Sequence, residues 1–502
     1  MDQLCKYVSI RQPESNRALG LETESEYRQR WISIRVIYFT AFVVYIAFCC
    51  VATSLWPYLN TLDPDAPKQF LFYLFAIPSL MQLVLSPLFG YWTNRASSIR
   101  LPMMLVIVFL IVGQVLYAVI EEIPNNRKYA LLASRALVGA STVACTLYRA
   151  YISAATTVAE RTKTTSYMAL AQTLGLVGGS AVQPTFAGIG EEGFQVLGFR
   201  VNMYTSVGWF CAALGVINLV LMLPWFFRDH NIAVKEAMSG NAGLADGKRA
   251  WQTMELRYLP IGLMLVAFAL LMFAYAALQT LLSPIALDQF NWTNEESLFY
   301  LGILMTAGAL ISCILFLMLD PLCKRFSETN VLVYGAMLAL FVSQLVMIPV
   351  GSEPITAFLE NSGNSTGNGT ALGCPPTQEW CSSIPPIGKV QFTISYTLLC
   401  ISFSIGTTLS QAVFSKLLGP RPQGTWMALL TCAGSAARIL GPGAVTVYVL
   451  SGTYWTFGGG SVLTGLVFVW MWVYRNRLQP VVVVKPSTAE EMKVLNPSKL
   501  VQ

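Results

Sequence analysis

The sequence predicts an all-α polytopic membrane protein in which twelve transmembrane helices form two six-helix bundles. Composition is the first observation behind this prediction, because 55% of the 502 residues are hydrophobic and only 12% are charged, unlike a soluble domain. Second, twelve apolar segments reach the roughly 20 residues that a helix needs to cross a bilayer. Third, a Thr-to-Pro spacing at the end of the first segment, Thr53–Pro57, recurs at the end of the seventh, Thr280–Pro284. Such internal repeats are typical of transport proteins.

The spans are taken in chain order from these apolar segments. We predict them at residues 36–59, 70–92, 101–120, 129–150, 166–189, 203–227, 259–287, 298–319, 331–350, 387–414, 425–450 and 455–474. The polar stretch between spans six and seven contains several glycines and predicts a flexible linker. The domain organisation is therefore an amino-terminal tail (1–35), a first bundle (36–227), a linker (228–258), a second bundle (259–474) with a long loop at 351–386, and a carboxy-terminal tail (475–502).

The distribution of Lys and Arg predicts the orientation of the chain. When Arg149 and Lys389 at the span ends are counted with the sides they adjoin, the side that holds both tails carries 25 of these residues, the opposite side carries 5, and 2 lie deeper within spans. Cytosolic segments of membrane proteins are enriched in Lys and Arg, so both termini are predicted to be cytosolic. The polar first 30 residues lack the apolar core of a cleavable signal peptide, so we expect span one to be an uncleaved anchor.

The opposite, luminal side contains glycosylation acceptors and a cysteine pair, as expected for an oxidising compartment. All three usable Asn-x-Ser/Thr acceptors, Asn291, Asn364 and Asn368, fall on this side and are expected to be glycosylated. Cys374 and Cys381 lie close together in the long luminal loop, and we expect them to form a disulfide. The alternative for these two cysteines is a pair of free thiols.

Polar residues recur at helical spacing in four of the spans. The stripes include Arg135 and Thr142 in span four, Gln279 in span seven, Ser404 and Thr408 in span ten, and Ser435 and Arg438 in span eleven. Hydroxylated and small residues also line ordinary contacts between transmembrane helices, which is the alternative for any single stripe. Because the stripes are shared between the two halves, they favour a water-accessible cavity at the bundle interface.

Away from their ends, the spans contain two arginines, Arg135 and Arg438, and no carboxylate, whereas Arg149 and Lys389 lie within two residues of a span end. A charge at bilayer depth costs about 2.5–3.5 kcal/mol, so it persists where it meets water or a partner. Arg438 lies about 20 Å from the cytosolic start of its helix. We interpret Arg135 and Arg438 as attractors of an anion, with the side chains of Thr142, Gln279, Ser404, Thr408 and Ser435 as hydrogen-bond donors along its path. The alternative is that each arginine ties helices together through backbone carbonyl groups.

Several classes of function are disfavoured by what the sequence lacks. Besides arginine, only Tyr and Cys titrate in the interior of the spans, so proton symport through a membrane carboxylate is disfavoured. Phosphate-binding glycine loops, nucleophile arrangements and metal-ligand clusters do not stand out. We therefore expect no enzymatic activity, no cofactor, no metal and no binding to nucleic acid.

Several segments resemble motifs of the major facilitator superfamily. They are the run Gly90–Arg95 between spans two and three, with Asn94 where many members have Asp; Arg135 with Gly139; Gly175–Gly179; and the pair Gly441 and Pro442. A more specific similarity to a lysosomal member of that superfamily extends over nearly the whole chain. It is carried by residues 31–35, 54–59, 202–205, 419–424 and 434–442. The resemblance implies the major facilitator fold, a lysosomal and late endosomal membrane location, glycosylated luminal loops and permeability to chloride.

Delivery to lysosomes needs a cytosolic signal, and Tyr7-Val-Ser-Ile10 has the tyrosine-x-x-bulky pattern. We therefore expect clathrin-adaptor proteins to bind the amino-terminal tail. The function that this reading favours is an endolysosomal anion pathway for chloride or another small anionic solute, in contact with membrane lipid. Two alternatives are an alternating-access carrier of an organic or phosphorylated anion and a membrane scaffold that transports nothing.

Overall fold

The computed structural model describes residues 20–51, 55–63, 70–190, 193–196, 199–240, 256, 258–290, 292, 294–351, 374, 378–419 and 421–478. Tyr7 and Ile10 of the predicted sorting signal, and the predicted glycosylation sites Asn291, Asn364 and Asn368, lie outside these residues. The sorting signal and the glycosylation sites stay predictions.

Helices occupy all twelve predicted spans within the described residues. In chain order they are Glu24–Cys49 with Leu55–Leu62 (span one), Phe70–Ala96 (two), Arg100–Ala118 (three), Arg127–Ser141 with Ala144–Ala155 (four), Val158–Phe186 (five), Thr205–Leu221 (six), Tyr258–Phe290 (seven), Asn294–Arg325 (eight), Glu328–Val346 (nine), Lys389–Leu418 (ten), Gly424–Leu440 with the start of Gly443–Val473 (eleven), and the rest of Gly443–Val473 (twelve). Among these described segments, nine are long and apolar enough by themselves to cross a membrane.

Several helices extend beyond the predicted spans on the predicted cytosolic side. Span one begins at Glu24 rather than at residue 36 because Thr23 caps it: the Thr23 hydroxyl accepts from the Glu26 amide at 3.3 Å, and the Glu26 carboxylate accepts from the Thr23 amide at 2.8 Å. Span five begins at Val158 rather than at residue 166. Hydropathy marks only the part of a helix that matches the hydrocarbon, so it misses the polar turns outside it.

The predicted linker is not uniformly irregular. It begins with a helix, Ile232–Gly240, although its glycines predicted a flexible segment. This helix is anchored because the Glu236 carboxylate accepts a hydrogen bond from the Val158 amide at the start of span five, at 3.0 Å. Burial raises the pKa of Glu236 above its usual value.

Two separate hydrophobic cores organise the molecule. One core is built from buried residues between Ile34 and Phe227, and the other from buried residues between Ile261 and Leu478. Each half of the chain therefore packs as its own bundle. The bundles meet where span two contacts span eleven, where span five contacts spans eight and ten, and where the second helix of span four contacts span eleven.

The predicted luminal side carries two small structures. A hairpin precedes span six, with strand β1 (Phe194–Val196) antiparallel to β2 (Phe199–Val201). In the long loop, the sulfur atoms of Cys374 and Cys381 lie within bonding distance, as predicted, with their Cα atoms 6.4 Å apart. This bridge lies beside Trp380, whose indole donates to the Val449 carbonyl at 3.2 Å. The loop thereby packs on the turn between spans eleven and twelve.

That turn depends on Gly452, which interrupts the helix Gly443–Val473 with a φ of 79°. A Cβ at this position would lie 2.8 Å from both the Trp380 ring and the Ile384 side chain. We expect Gly452→Ala to lower stability by about 1–3 kcal/mol, through backbone strain together with this overlap. Fluorescence-detected thermal unfolding in detergent measures the change. The matched control is Gly458→Ala in the same helix, where a Cβ would meet nothing within 4 Å; equal melting temperatures for the two variants would contradict the expectation.

Candidate functional site

Span four and span two approach closely near the middle of the first bundle. A Cβ on Gly139 would lie 2.3 Å from the Cα of Pro78, so only glycine permits this approach. Just after Gly139, the first helix of span four ends at Ser141. The Thr142 hydroxyl donates to the Gly139 carbonyl at 2.6 Å, a local bond that competes with helix continuation.

Gln82 of span two connects this break to the other bundle. Its Nε2 donates to the Thr142 carbonyl at 2.8 Å, and its Oε1 accepts from the Ser435 hydroxyl at 2.8 Å. The Arg438 guanidinium also donates to Gln82 Oε1 and lies 3.3 Å from the Ser435 hydroxyl. We call Gln82, Thr142, Ser435 and Arg438 the central cluster. It joins three spans and both bundles.

A cavity of about 100 Å³ lies beside the central cluster. Its lining residues are Val44, Tyr45, Phe48, Pro78, Ser79, Gln82, Thr142 and Arg438. This lining contains one guanidinium and no carboxylate. Among the described residues, no acidic side chain forms a salt bridge with Arg438. The cavity therefore has a positive charge that only neutral partners contact.

Arg135 lies outside the central cluster, although both arginines were predicted to serve one path. It is only 2% exposed, and its guanidinium carbon lies 5.7 Å from the centre of the Phe48 ring. Its Nη2 is 3.5 Å from the Phe48 carbonyl oxygen, whereas Nε and Nη1 are buried without a hydrogen bond in the described part of the chain. Because Phe48 lines the cavity, Arg135 is one side chain away from it.

The other predicted pathway residues do not line this cavity. The Ser404 hydroxyl donates to the Cys400 carbonyl of its own helix at 2.7 Å. Thr408 is fully buried, and its hydroxyl lacks a hydrogen bond within the described residues. Gln279 is exposed on span seven. Their place along an anion path stays a prediction.

The sequence analysis missed Gln82. It is an uncharged polar residue within an apolar helix, between Pro78 and Pro87, and it lies at helical spacing from Ser79 and Ser86, a polar stripe that was not among the four predicted. A buried amide in a transmembrane segment is itself a signal, because it must find partners there.

The bundles are also joined at the predicted cytosolic side. Lys416 at the end of span ten lies 2.6 and 2.7 Å from the two carboxylate oxygens of Glu328, which begins span nine. Lys416 also donates to the Thr162 hydroxyl of span five at 3.0 Å, and this hydroxyl in turn donates to Glu328. We call Thr162, Glu328 and Lys416 the cytosolic clasp. Nearer the centre, Arg149 of span four donates to the Thr431 hydroxyl of span eleven at 3.0 Å.

The comparison with known families agrees with this architecture. Residues 37–407 match the family model described as Major Facilitator Superfamily. The chain belongs to the major facilitator superfamily. It is also 32% identical over 485 residues to Major facilitator superfamily domain-containing protein 8 of Xenopus laevis, and the match covers 92% of this chain and 94% of that protein.

Solved structures of major facilitator proteins share the fold. The human organic anion transporter MFSD10 (TETRAN) aligns over 88% of this chain and 99% of its own, with a TM-score of 0.57 and 16% identity. The proton:xylose symporter XylE aligns over 89% and 96%, with a TM-score of 0.62 and 13% identity. FucP in the outward conformation aligns over 90% and 100%, with a TM-score of 0.63 and 12% identity. These matches confirm the predicted fold class and a multi-pass membrane protein of a transporter family.

The loop motif of the major facilitator superfamily lies at the contact between spans two and eleven. Gly90 and Gly424 face each other there, since a Cβ on either would lie 2.5–2.6 Å from the carbonyl oxygen of the other. The Asn94 side chain accepts from the Gly424 amide and donates to the Thr425 hydroxyl, both at 2.8 Å. Asn94 therefore caps span eleven with a neutral amide, although many members have an Asp at this position.

Proposed function

We propose that this protein is an anion pathway of the endolysosomal membrane and that chloride is the permeant ion. The observation that carries the proposal is the cavity between the bundles, which holds Arg438 and has no carboxylate in its lining. Arg438 contacts the amide of Gln82 and the hydroxyl of Ser435, so its positive charge is stabilised by dipoles, and within the described part of the chain no carboxylate pairs with it.

Physical chemistry favours an anion in this cavity. A charge in a low-dielectric cleft acts strongly on a small ion because water screens it weakly. A chloride ion beside Arg438 would neutralise the guanidinium and accept from the same donors. The buried Nε and Nη1 of Arg135 on the far side of Phe48 add a second positive field of the same sign.

The closed cytosolic side supports a second candidate, an alternating-access carrier of an organic or phosphorylated anion. The cytosolic clasp and the contact between Arg149 and Thr431 join the two bundles across their interface. A carrier needs such contacts in one state and must break them in the other. The current per molecule separates the candidates, because a channel passes far more ions per second than a carrier can turn over.

The first test is a patch-clamp recording of whole enlarged endolysosomes that contain the wild-type protein. We expect an anion current whose reversal potential moves by about 59 mV for each tenfold change in the chloride gradient. A current whose reversal potential does not change with the chloride gradient would refute the chloride pathway. Uptake of labelled organic anions without a measurable current would favour the carrier.

The proposed endolysosomal location rests on the resemblance of several sequence segments to a lysosomal member of the superfamily and on the Tyr7-Val-Ser-Ile10 signal. We expect Tyr7→Ala to reduce the lysosomal fraction of the protein several-fold, because clathrin-adaptor proteins would no longer bind the amino-terminal tail. Co-localisation with a lysosomal marker and surface biotinylation measure the redistribution. Tyr38→Ala is unsuitable as a control because that residue is within span one, so Ser9→Ala serves instead. Unchanged delivery of the Tyr7→Ala protein would contradict the signal.

A further inference from the structure

A cavity of about 690 Å³ opens on the predicted cytosolic side, away from the central cluster. Its walls come from four places: the loop between spans two and three, the end of span four, the first residues of the linker, and the segment between spans ten and eleven. Both bundles therefore contribute to it. Its volume lies in the range of about 300–1,000 Å³ typical of sites for small molecules.

The charged side chains of this cavity are mainly positive. Arg95 comes from the first bundle and Arg421 from the second. Asp229 is the one carboxylate among the lining residues, and its oxygens already accept from the Ser98 hydroxyl at 2.6 Å and from the Ile99 amide at 3.2 Å. The carboxylate is therefore engaged in holding the start of span three. The two guanidinium groups leave the cavity with an excess of positive charge.

The remaining lining is rich in groups that bind hydroxyls. The Nδ1 of His230 lies 2.9 Å from the Arg228 carbonyl oxygen, and because a carbonyl only accepts, Nδ1 carries the proton and Nε2 is an acceptor. Burial lowers the pKa of His230 below its usual value, which favours the neutral ring. Thr93, Ser97 and Ser153 add hydroxyl groups to the same lining.

We propose that this cavity binds a small phosphate monoester that also carries hydroxyl groups, with Arg95 and Arg421 as the phosphate ligands. Arginine forms paired hydrogen bonds with phosphate oxygens, which suits it to this role better than a point charge. The same chemistry occurs in soluble nucleotides or sugar phosphates and in the headgroup of a phosphoinositide lipid. The site is separate from the anion pathway and does not depend on it.

Because of where this cavity lies, a bound ligand would affect the conformation of the protein. Its walls include Asn94 and Gly424, which are bonded to each other across the bundle interface at 2.8 Å. A ligand that binds Arg95 and Arg421 simultaneously contacts both bundles while they are joined on this side. Because a ligand shifts an equilibrium toward the state that binds it better, occupancy stabilises the state that is closed on this side.

Thermal stabilisation of the purified full-length protein tests the proposal with three probes. Inorganic phosphate and ATP are added to the protein in detergent, and phosphatidylinositol monophosphate is included in phosphatidylcholine nanodiscs. We expect a saturable rise in melting temperature with at least one probe, since a ligand that binds only the folded state stabilises it. A response to the soluble probes alone assigns the site to free phosphate esters, and a response to the lipid alone assigns it to a headgroup.

Two variants and one control make the result specific. We expect Arg421→Gln to weaken the apparent affinity at least tenfold, and Ala154→Phe to abolish binding by filling the cavity without changing its charge. Arg325→Gln removes an exposed arginine from the last turn of span eight, outside the cavity, and should bind as the wild type does. Equal stabilisation of the wild type and both cavity variants would overturn the proposal, as would no stabilisation of the wild type by any of the three probes.

Discussion

Charge reversal at Arg438 is expected to abolish the chloride current that we propose for this protein, while leaving the amount of protein in the membrane unchanged. The guanidinium lines the cavity beside the central cluster, and its partners, Gln82 and Ser435, are neutral. At a separation of about 4 Å and an effective dielectric constant of about 20, two unit charges interact by about 4 kcal/mol. An attraction of this size becomes a repulsion in Arg438→Glu. The expected loss of current is therefore more than a hundredfold.

Three variants show whether charge at this position is the cause. Arg438→Lys retains the cation and is expected to keep part of the current, although it loses the planar fork of donors. Arg438→Gln is expected to give an intermediate loss, because it removes the attraction without adding a repulsion. Arg325→Glu reverses an exposed charge outside the cavity and should conduct normally. Protein amount and elution from size exclusion are compared for all of them. An undiminished current in the Arg438→Glu protein would show that Arg438 is structural.

Removal of the Lys416 ammonium is expected to open the predicted cytosolic side. The side chain of Lys416 is 7% exposed and that of Glu328 is 22% exposed, so water screens their ion pair only partly. Lys416 also bonds to Thr162 of the other bundle. Hydrogen bonds to charged groups contribute about 1.5–3 kcal/mol. We expect Lys416→Met to shift the conformational equilibrium by about 2 kcal/mol, or roughly 30-fold, toward the cytosol-open state.

Labelling of an introduced cysteine measures this shift. Met427 is 1% exposed and lies beside Arg149 and Gln411, on the closed side of the bundle interface. In the Met427→Cys protein, the rate of reaction with a cytosolic maleimide should rise at least tenfold when Lys416→Met is added. The reaction of the native cysteines is measured in the same protein without Met427→Cys and subtracted.

The matched control is Lys324→Met, which removes a lysine that is 72% exposed and paired with Asp320 within span eight alone. Among the described residues, Lys324 has no bond to the first bundle, whereas Lys416 bonds to Thr162, so Lys324→Met should not change the labelling rate. Exchanging the charges of Lys416 and Glu328 in one protein should restore slow labelling. Slow labelling in the Lys416→Met protein itself would mean that other contacts hold this side closed.

Part of the central site could be read from the sequence. Arg438, Ser435 and Thr142 were each predicted from polar spacing, and the structure brings all three together around Gln82. Arg135 was predicted for the same reason, but it lies behind Phe48. Helical spacing identifies the face of a helix that is polar, yet it does not say which helix lies opposite. Gln82 was not recognised because the polar stripe it forms with Ser79 and Ser86 was not among those predicted.

The boundaries of the spans likewise depend partly on local sequence and partly on contacts that hydropathy does not detect. Hydropathy locates the apolar centre of each span well, because the match to hydrocarbon is a property of each segment alone. The true start of span one, twelve residues earlier in the chain, depends on the cap formed by Thr23 and Glu26. The sequence predicted a break between spans eleven and twelve, and the structure places it at Gly452. The contact with Trp380, which requires a glycine there, could not be predicted.

The sequence by itself determined the membrane class, the twelve spans, the superfamily motifs and the presence of cations without carboxylates in the spans. These follow from local composition and spacing, which every folded state of the chain must respect. Only the tertiary structure decided that Arg438 contacts Gln82, 356 residues away, and that Lys416 bonds to Thr162, 254 residues away. Such contacts depend on the faces that two bundles present to each other, and packing between distant segments leaves no mark in the spacing of either one.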